Sequence, residues 1–541
     1  MVKNNHVKNS FLFKGDRVNE NIFKIVNKIW IIFFLLISTV SFSQIVETFE
    51  GDRFTQYSID DWISYAPALY INAIDMDEKY VYFATQHGGI LRIDKYRKEW
   101  GFPYTTSSGL RSNNILDVVY NQYDGNLYAR TPYGIDVLRF GENYWQKYNG
   151  TLPQKKQPEL SQIAELRKGK DYRFPPYFRP QNDFLPNLFS QRSFVFIPPD
   201  QILDNENREY RFTDRITDEW QRLWLGTNGF GPMMADMNTF SLYSMQQSIP
   251  NISVRDLYLD KNKIWIGGIK NTNGINGITA WNDYDGTWQY FEEPFYSGIA
   301  KDDVFAIDGN QQCIIFATIY GIVIYDKNKS KWKTYTQLEG LEGEQVNDVL
   351  VHKNTVYIAT ENGFNWMDLN SNRAEGVSGT QIDNVEIRQI SVWKDTLYLA
   401  TKLGLYRMDL EDKDVQFISS RSAIPDFNLT SINAYQNEIW IGNSYGIAYK
   451  NLLTNSWSSF PDLSIKPQIR DIAFTNSAVW FATDKGLMKF NREMNSWRLF
   501  TTRDGLINNN VYHIDVENDN LWLSTDKGFT IFHYNRPGRL D

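Results

Sequence analysis

From about residue 60 onward the chain alternates short apolar runs with small turns, and one phrase among them returns ten times. An aromatic or aliphatic pair is followed by a small residue, usually a Thr, two variable residues, and a Gly that opens another apolar run. The phrase reads Tyr82-Phe83-Ala84-Thr85 before Gly88, Trp224-Leu225-Gly226-Thr227, Tyr357-Ile358-Ala359-Thr360 before Gly363, and Tyr398-Leu399-Ala400-Thr401 before Gly404. It closes with Trp480-Phe481-Ala482-Thr483 before Gly486 and Trp522-Leu523-Ser524-Thr525 before Gly528. Degenerate copies place Thr131, Gly268, Thr318 and Asn443 at the Thr position. From 318 the copies fall at 360, 401, 443, 483 and 525, steps of 42, 41, 42, 40 and 42 residues. Apolar runs bounded by turn residues read as strands, and this period predicts four-stranded propeller blades.

A second element, Trp-x-x-Tyr/Phe, lies between successive phrases: Trp145 to Tyr148, Trp288 to Phe291, Trp332 to Tyr335, Trp457 to Phe460 and Trp497 to Phe500, with looser copies at Trp100, Phe240 and Val415. After the tenth phrase the sequence ends without one, and the missing piece stands upstream as Trp62-Ile63-Ser64-Tyr65. A first strand that completes the last blade leaves no unpaired sheet edge at the seam. The expectation is an all-β fold, a single closed propeller of about ten blades, with eight to ten compatible with the repeat.

One interval is doubled, Thr131 to Thr227 at 96 residues. The excess, residues 149–212, holds Pro153, Pro158, Pro175, Pro176, Pro180, Pro186, Pro198 and Pro199. Proline removes a ladder donor, so a mostly irregular insertion is expected, with Ser193 to Ile197 as one short strand. It leaves an outer strand and returns to an inner one, which places it on the loop face as a lid, a partner-docking arm or a packed insertion.

Composition then narrows the class. The 15% aromatic content, with 17 Trp and 32 Tyr, suits strands. A net charge of -8 argues against nucleic-acid binding, which needs a concentrated basic surface. Lys24 and Lys28 precede the apolar run Ile29 to Ile37, which closes at Ser41-Phe42-Ser43-Gln44. That is a secretory signal pattern with cleavage after Ser43, so residues 1–43 are expected to be removed and 44–541 to form the propeller. The run is too short for a good spanning helix, and no stable membrane span is expected after cleavage, although an uncleaved anchor is the competing reading. The one cysteine, Cys313, lies in a strand pattern and reads as a small buried hydrophobe.

Trp497-Arg498-Leu499-Phe500-Thr501 with Gly505-Leu506, Val511-Tyr512-His513-Ile514, and Leu521 to Gly528 resemble the two-component regulator propeller repeat, as do Trp332 to Thr336 with Gly340-Leu341. The likeness covers most of residues 54 to 535. It implies a periplasmic sensor-type propeller that responds to polysaccharide breakdown products, here without kinase output modules after Tyr534. The signal ending and the Asn, Ile and Lys usage look like Bacteroidota, and a secreted, periplasmic or cell-surface protein of a Gram-negative bacterium is expected.

Within each phrase the Thr hydroxyl can cap the turn and the Gly can supply positive φ, so variation between them carries specificity. The candidate ligand-binding residues are His87, Tyr133, Tyr320, Asn362, Lys402, Tyr445, Lys485 and Lys527 from these pairs, with Asn113 and Asn509 from the Gly-Leu loops. Tyr, Asn, Lys and Asp on one rim suit an oligosaccharide or a protein partner. Catalysis lacks a signature: His87, His352, His513 and His533 have no metal-ligand spacing, and no cofactor motif is present. Asp484 and Asp526 occupy equivalent positions and are a candidate acid/base pair or, with Lys485 and Lys527, neutralised turns. A non-catalytic binding propeller is expected, with a lyase-, glycosidase- or quinoprotein-like enzyme and a cell-surface scaffold as the alternatives.

Overall fold

In the computed structural model each phrase forms the second strand of an antiparallel sheet. The structure describes residues 44–155, 185, 187–190, 194–245, 247–250, 252–270, 277–293, 295–371, 373–377, 380–418, 428–460 and 463–539. The expected signal segment lies outside them. Ten sheets are present among these residues, seven of them four-stranded. One blade shows the plan: inner strand Val304–Gly309, phrase strand Cys313–Thr318, third strand Gly321–Asp326, outer strand Lys331–Tyr335. Every residue of the phrase strand is buried. Ile314 and Phe316 pack toward the preceding blade around Trp265, while Ile315 and Ala317 pack toward the following one around Val346 and Ile358. A sheet covered on both faces reads as a continuous apolar run rather than an alternating one.

The constant Thr and Gly build the turn as expected. Thr318 Oγ1 donates to Gly321 O at 2.8 Å and accepts from Tyr320 N at 3.1 Å, and Thr360, Thr401, Thr483 and Thr525 repeat the bond to the glycine carbonyl. The expected closing strand also forms: Trp62–Tyr65 pairs antiparallel with Gly528–His533, and Trp62 stacks on Phe532 at 3.8 Å. Gly528 sits at φ 128, where a Cβ would meet Tyr65 O at 2.0 Å, so this seam needs glycine.

The blades do not form one ring of ten. Numbered in chain order by residues 71–94, 117–148, 209–244, 252–291, 304–335, 346–376, 387–418, 431–460, 469–500 and 511–533, blades 4 to 10 touch in sequence through their inner strands, and blade 10 returns to blade 4. Blades 1, 2 and 3 form a separate unit in which blade 1 stands between the other two. Side-chain carboxylates stitch both units. Asp256 Oδ2 accepts from Ile307 N at 2.6 Å, Asp308 from Val351 N at 2.6 Å, Asp348 from Ile390 N at 2.8 Å and Asp471 from Ile514 N at 3.0 Å. Asp515 joins blade 10 to blade 4 by accepting from Leu259 N, while the amides of Gln389 and Asn433 join blades 7 to 8 and 8 to 9. In the smaller unit Asp214 accepts from Ile74 N and Asp75 from Tyr120 N.

The smaller unit is inserted between the closing strand and blade 4. Its two linkers are short and run side by side: Ala68 N donates to Ser248 Oγ at 2.5 Å, and Pro67, Ala68, Gln247, Ser248 and Ile249 are buried. Buried linkers of ordinary inter-blade length carry no compositional mark, which is why the repeat alone pointed to one ring.

At the start of the insertion Lys155 bridges all three blades of the smaller unit. Lys155 Nζ lies 2.9 Å from Asp117 of blade 2 and 3.8 Å from Asp214 of blade 3, and it donates to Ile74 O of blade 1 at 3.1 Å. The strand expected near Phe194 is Phe194–Ile197. It pairs with Gln201–Asp204, and Phe189–Ser190 pairs with Ser241–Ser244 at the other edge of the sheet, so this stretch holds more ladder than its prolines suggest. Phe194, Phe196, Ile202 and Leu188 cover blade 3 residues Leu223, Leu225 and Leu242. Residues 156–184 of the 149–212 insertion, expected as a lid, docking arm or packed insertion, lie outside the described residues. No helix among the described residues is long and apolar enough to cross a membrane.

Candidate functional site

Variable turn residues of blades 1, 2 and 10 meet at the junction of the two units, around a cavity of about 380 Å³. Four of the expected site residues line it: His87, Asn113, Tyr133 and Lys527. Gln86, Arg111, Asn114 and Asp526 join them, with Pro67 of a linker and Ile507 on the apolar side. Gly88 permits this approach, since a Cβ there would stand 2.4 Å from the Ala68 methyl.

Each wall is held by the fold. Arg111 donates through Nε to Asp136 at 2.5 Å and through its two terminal nitrogens to Tyr133 O and Ile135 O at 2.8 Å each. Asp136 is fully buried, so the guanidinium is a fixed cationic wall rather than a mobile arm. The Tyr133 ring, held only through its backbone, is 71% exposed. Asn113 Oδ1 accepts from Thr106 N at 2.7 Å, bracing the short helical turn Thr106–Ser108. Asn114 Oδ1 is enclosed and has no hydrogen-bond partner. Burial, reinforced by the Lys527 charge, holds the His87 imidazole below its usual range, which keeps it neutral at neutral pH. Burial works against the Asp526 carboxylate, yet hydrogen bonds from Asn510, Ser253 and Tyr512, with Arg255 nearby, hold it below the ordinary range.

The remaining expected residues are not brought into this cavity. Tyr320, Asn362, Lys402, Tyr445 and Lys485 sit on the turn tips of blades 5 to 9, one to a blade. Asn509 repeats the structural bond of Asn113, accepting from Thr502 N at 2.8 Å. The candidate acid/base pair is taken up locally. Asp484 accepts from Gln468 N at 2.8 Å and pairs with Lys485 at 3.4 Å, while Asp526 accepts from Ser253 Oγ at 2.6 Å and Tyr512 Oη at 2.8 Å. Glu361, at the same repeat position, likewise accepts from Gln345 N at 3.0 Å, so acids here brace turns. Cys313 is buried as expected, and burial pushes its thiol up to about 11.

The spacing of the histidines gave no sign of His513. It stands in the hub of the seven-blade ring, Nε2 3.1 Å from Asp256 and Nδ1 2.9 Å from Asp471. Burial opposes its charge, but Asp256 and Asp471 outweigh it and raise the imidazole well above its usual range. The available signal was positional: His513 is the third residue of its inner strand Val511–Glu517, where Asp348 and Asp471 stand in theirs. Among the described residues no group of three or more His, Cys, Asp or Glu could hold a metal ion.

No family model matches the chain, and no curated protein does. Among solved structures it is similar to the extracellular domain of the putative hybrid two component system BT4673 from B. thetaiotaomicron, with 14% identity, 87% of this chain and 71% of that chain covered, and a TM-score of 0.45. The corresponding domain of BT3049 from the same organism gives 15% identity, 86% and 75% coverage, and a TM-score of 0.45. PorZ, a surface component of the type-IX secretion system of Porphyromonas gingivalis, gives 12% identity, 87% coverage of each chain and a TM-score of 0.35. At such identities and scores these likenesses say nothing of ligand or role.

Proposed function

We propose that the protein is an exported, non-catalytic binding propeller whose junction cavity takes a short oligosaccharide. The observation that carries this reading is the convergence of polar turn residues of three blades, Gln86 and His87, Asn114 and Tyr133, and Lys527, on one cavity. The exposed face of Tyr133 offers a stacking platform, and Gln86, neutral His87 and Lys527 offer further polar contacts on the same wall. The acids that might serve hydrolysis or elimination are occupied as turn braces. A sensing role of the kind the propeller repeat implies would be exercised through this cavity, toward a signalling partner on a separate chain.

The test is calorimetric titration of the protein with neutral oligosaccharides of two to six sugars. Saturable binding that Tyr133→Ala and Asn114→Leu each weaken about tenfold or more, about 1.4 kcal/mol, with unchanged melting temperature, supports the reading. Binding that neither substitution alters places the ligand elsewhere and sinks it.

A further inference from the structure

The hub of the seven-blade ring holds a second cavity, about 590 Å³, lined by inner strands of all seven blades. At its mouth the equivalent position, the residue after the first buried aliphatic of the inner strand, is Arg255 in blade 4, Arg388 in blade 7, Arg470 in blade 9 and Tyr512 in blade 10. One residue deeper the channel is bolted across. Gln389 Nε2 donates to Asp471 Oδ1 at 2.7 Å, and the His513 imidazolium links Asp471 to Asp256. The mouth therefore has a cationic rim above a layer of buried carboxylates bridged by the imidazolium and the Gln389 amide.

These acids are committed to the fold, each accepting backbone N–H groups of its own and the next blade. The rim cations are less committed. Arg388 pairs with Glu386 at 3.0 Å, whereas neither Arg255 nor Arg470 has a carboxylate within ion-pairing distance among the described residues. Their guanidinium carbons lie 3.8 and 4.3 Å from the Tyr512 ring centroid, and Asp526 fixes that ring through its hydroxyl. Arg470 Nη1 donates to Asn510 Oδ1 at 2.5 Å. Among the described residues the enclosed Arg255 Nε has no hydrogen-bond partner.

We propose that this mouth binds the carboxylate of a small acidic ligand. Two guanidiniums stacked on one immobilised ring present pre-set forks of N–H donors, the geometry that a planar carboxylate matches in bidentate fashion. A uronic acid and the C-terminus of a short peptide share this chemistry.

The experiment titrates the full chain with sodium glucuronate and with acetyl-diglycine, each against its neutral counterpart, glucose and acetyl-diglycine amide, by ligand-observed NMR and calorimetry. Saturable binding of at least one carboxylate, absent for its neutral counterpart and weakened by added salt, is expected. Glucuronate alone identifies the sugar acid, acetyl-diglycine alone the chain end, and both together a general carboxylate site. Arg255→Gln and Arg470→Gln should each weaken binding about tenfold or more, and Arg255→Lys should restore only part, since lysine keeps the charge and loses the fork. Tyr133→Ala, in the junction cavity, should leave carboxylate binding unchanged, so the two sites fail independently. Absence of saturable binding to either carboxylate up to about 10 mM, equal binding of the neutral counterparts, or binding indifferent to both arginine substitutions in proteins of native melting temperature overturns the proposal.

Discussion

Replacing His513 with alanine tests how the seven-blade hub is held. The imidazolium is the cation between Asp256 and Asp471, at 3.1 and 2.9 Å, and both acids are buried. Removing it leaves two carboxylates facing one another in a low-dielectric hub, and breaking such a pair costs about 3 kcal/mol. For a unit of this size that corresponds to a fall in melting temperature of roughly 5–10 °C. The loss has a pH signature. Burial pushes Asp256 up to about 7 even with the imidazolium holding it down, so without His513 the acid rises further, and keeping it neutral costs more the further the pH stands above the unfolded carboxylate range, little at pH 5 and more at pH 8. Thermal melts of wild type and variant, followed by circular dichroism at pH 5 and pH 8, should show the larger deficit at pH 8. A deficit under about 1 kcal/mol at pH 8, or one larger at pH 5, refutes the clamp.

Three further outcomes follow from the same contacts. Burial raises Asp308 and Asp75 to about 6. A folded-state pKa above the unfolded value contributes stability that is present below pH 4 and lost as pH rises through about 6, so wild-type melting temperature should fall from pH 5 to pH 8 and Asp308→Asn should flatten the slope. Trp62→Ala removes a side chain stacked on Phe532 and packed near Phe500; it should cost about 3–5 kcal/mol, read as a shifted denaturation midpoint with blade 10 the first to exchange amide hydrogens. Lys155→Ala leaves Asp117 and Asp214 without their shared cation, and limited proteolysis should then cut within residues 71–244 while the seven-blade ring stays intact.

The blade was legible because each strand is sandwiched between neighbours, which forces the apolar phrase, and because the turn after it needs one hydroxyl and one positive φ. Thr318 and Gly321 show both. The seam was legible for the same reason, since Trp62 to Tyr65 carries the missing outer-strand pattern. The grouping into seven and three was not, because the linkers at Pro67-Ala68 and Gln247-Ser248 are short and buried and carry no compositional mark. Part of the junction cavity could be read from variable turn pairs, which supplied His87, Tyr133 and Lys527. Arg111 and Asn114 escaped because they stand in a Gly-Leu loop whose visible signal, Asn113, braces its own turn. Tyr320 and Tyr445 fit the same pattern as Tyr133, but their turns are not among the residues that line the junction cavity, and only that juxtaposition turns a turn residue into a wall.

Hydrogen exchange with and without a bound oligosaccharide is the most direct measurement of the central claim, that the junction between the two units is the binding site. Protection should appear together at residues 86–87, 111–114, 132–134 and 526–527, which belong to blades 1, 2 and 10. Protection confined to the turn tips of blades 5 to 9, with the junction unchanged, would contradict it.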